Sequence, residues 1–144
     1  PAQEHFLSNL IKQKIQSAID NITPAAQSEQ PWVLFLPEEE VHDIGLLLSS
    51  YILRKKGRTV IYLGARVPKD SLFSVLELFP KAKLLFFLVK EFNGNSIQNL
   101  VKNMNVKYPE STVHIGINPK RLLKLEANID FETIHSVKSL IKKL

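Results

Sequence analysis

Apolar residues in the first stretch of the chain recur at helical spacing. Phe6, Leu10, Ile11, Ile15, Ala18, Ile19 and Ile22 share one face of a helix predicted over 3–22. The stretch 24–31 is polar and bounded by Pro24 and Pro31, so it reads as a linker. From Trp32 onward the pattern changes, and short apolar runs alternate with amphipathic segments. Strands are predicted over 32–36, 59–63, 83–89, 112–117 and 128–131. Helices are predicted between and after them, over 44–53, 68–78, 95–108, 120–125 and 132–144. The unbroken run Leu84-Leu85-Phe86-Phe87-Leu88-Val89 predicts a strand buried on both faces. No internal repeat or low-complexity segment interrupts the alternation.

Five strands joined by helical crossovers predict an α/β fold with a doubly wound parallel sheet. The expected strand order is 2-1-3-4-5, the flavodoxin-like arrangement, with the helix over 3–22 preceding it. Such sheets bind ligands outside the carboxyl ends of their strands. The first of these ends carries Glu40-Val41-His42-Asp43-Ile44-Gly45, with a carboxylate two residues before a histidine and a glycine three after it. A neutral imidazole can hold a metal with one ring nitrogen while a carboxylate fixes the tautomer through the other. Gly45, in a helix's first turn, costs about 1 kcal/mol relative to Ala. It therefore wants a reason, such as a large planar group pressing on the backbone.

A GxGxxG or Walker loop is absent, which argues against dinucleotides and nucleoside triphosphates. Glu38, Glu39 and Glu40 supply acids after the first strand, but no aspartate ends the third, so a phosphorylated receiver domain is set aside. His114, within a strand, and His135, in the last helix, are expected to be structural.

Composition narrows the picture further. With 144 residues, 44% hydrophobic and 23% charged, the chain fits one ordinary globular domain and perhaps one extra element. No apolar run spans a bilayer, so no membrane role is expected. No signal-peptide pattern opens the chain, and zero cysteines remove disulfides and thiolate chemistry, which suits the cytoplasm. The chain opens on Pro1 and its single methionine is Met104, so it reads as a fragment of a longer protein. Its net charge is +5, and the densest basic cluster, Arg54, Lys55, Lys56 and Arg58, falls where a helix ends at Gly57. Cations there complement the helix dipole, which makes a solvated helix end the better reading than a nucleic-acid patch.

The motif over 40–45, followed by Leu63-Gly64-Ala65-Arg66-Val67-Pro68, resembles the cobalamin-binding domain family across roughly 31–144. That family carries Asp/Glu-x-His-x-x-Gly after the first strand and Leu-Gly-x-x-Val-Pro after the second. The resemblance implies that His42 is the lower cobalt ligand, with Glu40 bonding its far nitrogen. Asp43, Ile44, Gly45, Gly64, Val67 and Gly116 are then expected along the cofactor's path. Glu4-His5-Phe6-Leu7-Ser8-Asn9 further resembles the Glu-His-Phe-Ala-Ser-Asn stretch of MerR-type, CarH- and LitR-like light-sensing repressors. By that resemblance, 1–23 is the last helix of a bundle capping the domain at 32–144. His5 is then the upper cobalt ligand, with Glu4 beside it.

Two departures bear on the cofactor's nucleotide tail. The family's third strand ends in Ser-x-Leu, but here the stretch is Phe86-Phe87-Leu88-Val89-Lys90, and Phe86 is expected at the serine position. The family's paired glycines after the fourth strand appear as Gly116-Ile117, and Ile117 is expected to crowd the tail. The resemblance therefore implies a non-enzymatic sensor and homo-oligomerisation module that takes adenosylcobalamin or methylcobalamin. DNA would be bound through a domain outside this stretch. One alternative is a degenerate domain that has lost the cofactor and serves dimerisation or partner binding. Another is a corrinoid carrier subunit of a methyltransferase or mutase.

Overall fold

In the computed structural model, which describes residues 1–91, 93–121 and 125–144, helix α1 (Ala2–Asp20) comes first. Strands β1 (Trp32–Pro37), β2 (Val60–Val67), β3 (Lys83–Leu88), β4 (Thr112–Ile117) and β5 (Glu132–Ile134) form one sheet, in the order β2-β1-β3-β4-β5. Every adjacent pair is parallel. Helices α2 (Ile44–Lys55), α3 (Lys69–Leu78), α4 (Gly94–Lys107) and α5 (Val137–Ile141) complete the described elements. The expected fold class and strand order are those observed.

β1 and β3 are almost wholly apolar because side chains along them alternate between two cores. Val33 and Phe35 join Leu84, Phe86 and Leu88 beneath α3 and α4, whose Leu72, Leu76, Ile97, Val101 and Met104 close that core. Trp32, Leu34 and Leu36 face the other way with Leu85, against Leu46 and Leu53 of α2 and Leu140 of α5. Each fully buried side chain of this kind contributes about 1.5–3 kcal/mol. Helix α1 packs along α2 yet buries none of its own residues, and Phe6 remains 71% exposed.

Several boundaries differ from the sequence pattern. The second strand runs on to Val67, with pairing to β1 shifted between Leu34 and Phe35 and again before Pro37. Gly64 at φ +83° and Arg66 at φ +56° absorb that irregularity, as left-handed residues do at bulges. The third strand stops at Leu88, and Phe87 is only partly buried while Val89 is exposed. Neither the strand expected over 128–131 nor the long helix over 132–144 forms. The edge strand lies at Glu132–Ile134, and a capping box between Ser136 and Ser139 delays the helix to Val137. The helix expected over 120–125 falls largely on 122–124, which lie outside the described residues.

The basic cluster is built into the helix end. Gly57 turns the chain at φ +71°, and Arg54 donates to Ser50 Oγ at 3.2 Å and to the Val60 carbonyl at 3.1 Å. Among the described residues no helix is long and apolar enough to cross a membrane.

Candidate functional site

Beyond Pro37 the chain makes a tight turn, closed by Glu40 N–H donating to the Pro37 carbonyl at 2.9 Å. The turn carries the Glu40 side chain inward until it is 0% exposed. A buried carboxylate needs several donors. Its Oε1 accepts from the backbone N–H groups of Val41 and His42, both at 2.9 Å. Its Oε2 accepts from the N–H groups of Val89 and Lys90, at 2.9 and 3.1 Å. Burial alone would raise the Glu40 pKa, but the donors from His42, Lys90 and Val89 overcome it and bring the value to about 2.

Glu40 is therefore an ionised acceptor, and it receives the His42 ring nitrogen Nδ1 at 2.6 Å. An acceptor-only partner puts the proton of a neutral imidazole on Nδ1 and leaves a lone pair on Nε2. The His42 side chain is half exposed, so the free nitrogen has access to a ligand. One arrangement thus fixes the ring, selects its tautomer and presents a single donor atom.

His42 opens onto a cleft of about 710 Å³ between α1 and the head of α2. Its walls bring Glu4, His5, Ser8 and Lys12 of α1 opposite Val41, His42, Asp43, Ile44 and Gly45, with Val89 beside them. Asp43 occupies the N-cap position of α2 but does not cap it. Instead its Oδ1 stands 2.6 Å from Lys12 Nζ, an ion pair without the alignment of a hydrogen bond, which tethers α1 to the histidine loop. The phenol of Tyr62, pushed up to about 12 by burial and then by the Asp43 charge, stays neutral nearby.

A second cavity of about 400 Å³ continues from the first, sharing Gly45 and Val89, and runs between α2 and α5 over the ends of β3 and β4. Gly116 and Ile117 lie in its wall, with His135 opposite. The ring of Phe87 stands between Gly45 and Gly116. A Cβ on Gly45 would meet it at 3.4 Å, and one on Gly116 at 2.5 Å. The planar group that Gly45 accommodates is therefore the protein's own phenyl ring. This corrects the expectation for Phe86, which points to the opposite core and packs on Phe35 at 5.2 Å between ring centroids. Strand alternation decides it, since neighbouring residues face opposite sides.

Two further expected residues are not brought to the His42 cleft. Val67 is buried beneath α3 with Leu72, and it lines a separate hollow with Phe35 and Glu38. Gly64 is absent from the cleft wall and lies beside the Tyr62 ring, at 3.7 Å for a Cβ placed on it. The extension of β2 to Val67 accounts for both, because it keeps this stretch paired within the sheet. His114 Nδ1 donates to the Leu84 carbonyl at 3.1 Å, its ring tilted against Trp32, and His135 Nδ1 donates to the Ile117 carbonyl at 3.1 Å.

Arg121 was not singled out by its sequence. Its guanidinium donates to the carbonyls of Val89 and Lys90 at 3.1 and 2.8 Å. Glu40 thus holds the N–H groups of these two residues and Arg121 their carbonyls, which pins the end of β3 from both sides. No local motif announces such a clamp, because it joins segments more than 30 residues apart.

No protein-family model matches the chain. It is 35% identical over 71 residues to the HTH-type transcriptional repressor CarA of Myxococcus xanthus, covering 49% of this chain and 24% of that protein. It is 36% identical over 80 residues to the HTH-type transcriptional repressor CarH of the same organism, covering 55% of this chain and 26% of that one. The chain thus spans about a quarter of the length of the curated relatives it matches. In structure it resembles the Methanosarcina barkeri monomethylamine corrinoid protein, with a TM-score of 0.69 and 16% identity over 94% of this chain and 62% of the other. It also resembles a cobalamin-binding protein from Desulfitobacterium hafniense, with a TM-score of 0.56 and 22% identity over 83% of this chain and 60% of the other. The chain is similar in sequence to these repressors and shares its fold with these corrinoid proteins.

Proposed function

We propose that this chain is a cobalamin-type corrinoid-binding module of a transcriptional regulator, in which His42 ligates cobalt from one side of the His42 cleft. The observation that carries this reading is the 2.6 Å Glu40–His42 contact, which leaves Nε2 as a lone donor facing that cleft. Among the described residues no group of three or more His, Cys, Asp or Glu side chains could hold a bare metal ion. One imidazole suits a metal that arrives with its other ligands. A corrinoid would supply cobalt already held by its own ring, so that a single imidazole such as His42 would suffice to hold it.

The chain's residues divide the work. Glu40 keeps the His42 proton on Nδ1 and the ring in place, as carboxylate partners of metal-bound histidines do. His5 stands on the α1 side of the same cleft and is the candidate second axial donor, with Glu4 next to it. Lys12 and Asp43 hold the two walls together. An occupant of the cleft touches α1 and α2 at once, so binding biases how α1 packs and hence how copies of the protein assemble. DNA reading belongs, in this proposal, to a part of the regulator outside these residues, and the module acts by binding rather than by catalysis. The similarity to CarA and CarH supports that assignment.

The test is a titration with excess hydroxocobalamin, followed by visible spectroscopy and gel filtration. Ligation by His42 is expected to change the cobalt spectrum and to make corrinoid and protein co-elute, and His42→Ala abolishes the spectral change. At a hundred times its dissociation constant the ligand adds about 2.7 kcal/mol to stability. A free-cofactor spectrum with separate elution, for diaquocobinamide as well as for hydroxocobalamin, refutes the proposal. That result favours a second reading, a cofactor-free domain used for dimerisation, which the position of Phe87 motivates.

A further inference from the structure

We infer that Phe87 is a specificity device that makes this site select corrinoids lacking the nucleotide tail over complete cobalamins. The inference rests on the corrinoid-binding reading and adds to it which form of the ligand fits. A complete cobalamin carries, on the lower side of its ring, a nucleotide loop that ends in an aromatic base; a cobinamide ends at the amide-bearing ring. If His42 takes the lower axial position, that base is displaced and the loop must leave beside His42.

The structure offers one continuation there. The His42 cleft and the groove between α2 and α5 share Gly45 and Val89, so a chain leaving the cleft in that direction passes Gly45 and follows the sheet towards Gly116. Glycines at both positions would let a ligand press against bare backbone. Here that space is already taken. The Phe87 ring lies in van der Waals range of a Cβ placed on Gly45, and its Cδ1 and Cε1 would be 2.5 Å from a Cβ on Gly116. The two glycines are thus fitted to the protein's own ring, and the floor of the groove is raised by the thickness of a phenyl.

Phe87 is partly buried. Its ring packs against the buried cluster of Leu34, Leu46 and Leu85, so swinging it aside forfeits that contact. The adjoining wall is mixed, with Ile117 and Ile134 nearly buried and Ser49, Asn118, Arg121 and Ser136 lining the same groove, so the obstacle to a nucleotide loop is the Phe87 ring itself. A ring without a nucleotide loop does not meet that obstacle, because the His42 cleft itself remains open.

The experiment measures dissociation constants for hydroxocobalamin and for diaquocobinamide by visible titration, in the unaltered protein, in Phe87→Ala and in Phe87→Ser. The unaltered protein is expected to bind cobinamide at least ten-fold more tightly, and either variant is expected to lower that ratio at least ten-fold by strengthening cobalamin binding. Cobalamin binding as tightly as cobinamide in the unaltered protein overturns the inference and leaves the corrinoid-binding reading standing. A ratio unchanged in a folded Phe87→Ser variant also overturns it. If neither corrinoid gives a spectral change that His42→Ala removes, both the inference and the reading beneath it fall.

Discussion

Glu40 is the residue on which the site's geometry depends, because five donors converge on one buried carboxylate. Glu40→Gln keeps the shape but turns an amide NH2 towards backbone N–H groups, and is expected to destabilise the fold by about 2–3 kcal/mol in urea melts. The same change frees the His42 ring and removes its tautomer bias. Corrinoid affinity is then expected to fall about 10- to 100-fold, as when other carboxylate partners of metal-bound histidines are lost. A second buried residue makes stability depend on pH. Burial lowers the His114 pKa, and Lys143 and Lys83 push the same way, against its bond to Leu84 and the charge of Glu132. The unfolded chain therefore binds this proton more readily than the folded one. Stability is fully present above the ordinary histidine value of 6.5 and declines as pH falls through it towards the lower folded value. Melts between pH 8 and 5 should show this loss, and His114→Asn should flatten it.

Where β3 pairs with β4, the ring of Phe87 and the bare backbone of its register partner Gly116 form one packing unit. Gly116→Ala forces a methyl into the ring and is expected to cost about 1–3 kcal/mol through overpacking. Combining it with Phe87→Ala should cost less than the sum of the two single changes, since the ring that the methyl meets is gone. Equal additivity in chemical denaturation would show that the two do not meet. The same elements show what a sequence can and cannot reveal. The alternation of apolar runs and amphipathic stretches was enough for the strand order, and Glu40-x-His42 pointed to its own pairing. Which of Phe86 and Phe87 faces the groove depends on strand phase, and an apolar run buried on both faces carries no phase. The late start of α5 was hidden because Ser136 and Ser139 cap it reciprocally, a contact that the apolar spacing of 132–144 masks. Glu40 on the N–H groups of Val89 and Lys90, and Arg121 on their carbonyls, are long-range pairings that no local pattern encodes.

At the level of the whole molecule, α1 is attached to the sheet without being part of either core. It buries no residue and is held to the histidine loop by the Lys12–Asp43 ion pair and by its packing on α2. A chain of residues 24–144 alone is therefore expected to keep its cooperative unfolding, with a melting temperature within a few degrees of the full chain. It should nevertheless bind a corrinoid more weakly, because one wall of the cleft goes with α1. Loss of cooperative unfolding on this truncation would show that α1 belongs to the core after all. The strand order carries a consequence for how the chain acquires its structure. β1 is the first strand in the sequence, yet it sits between β2 and β3, whereas β4 and β5 add only at one side. The stretch 32–88 thus holds three strands, β2 and β3 each paired to the central β1, and most of what α2 and α3 cover. Contacts closer in sequence form with less loop-closure entropy, so this half is expected to order first and the three-residue β5 last. On a ribosome the central sheet could assemble while β4 and β5 are still being made. Pulsed hydrogen exchange during refolding should then protect the amides of Val33 and Leu85 before that of Ile134.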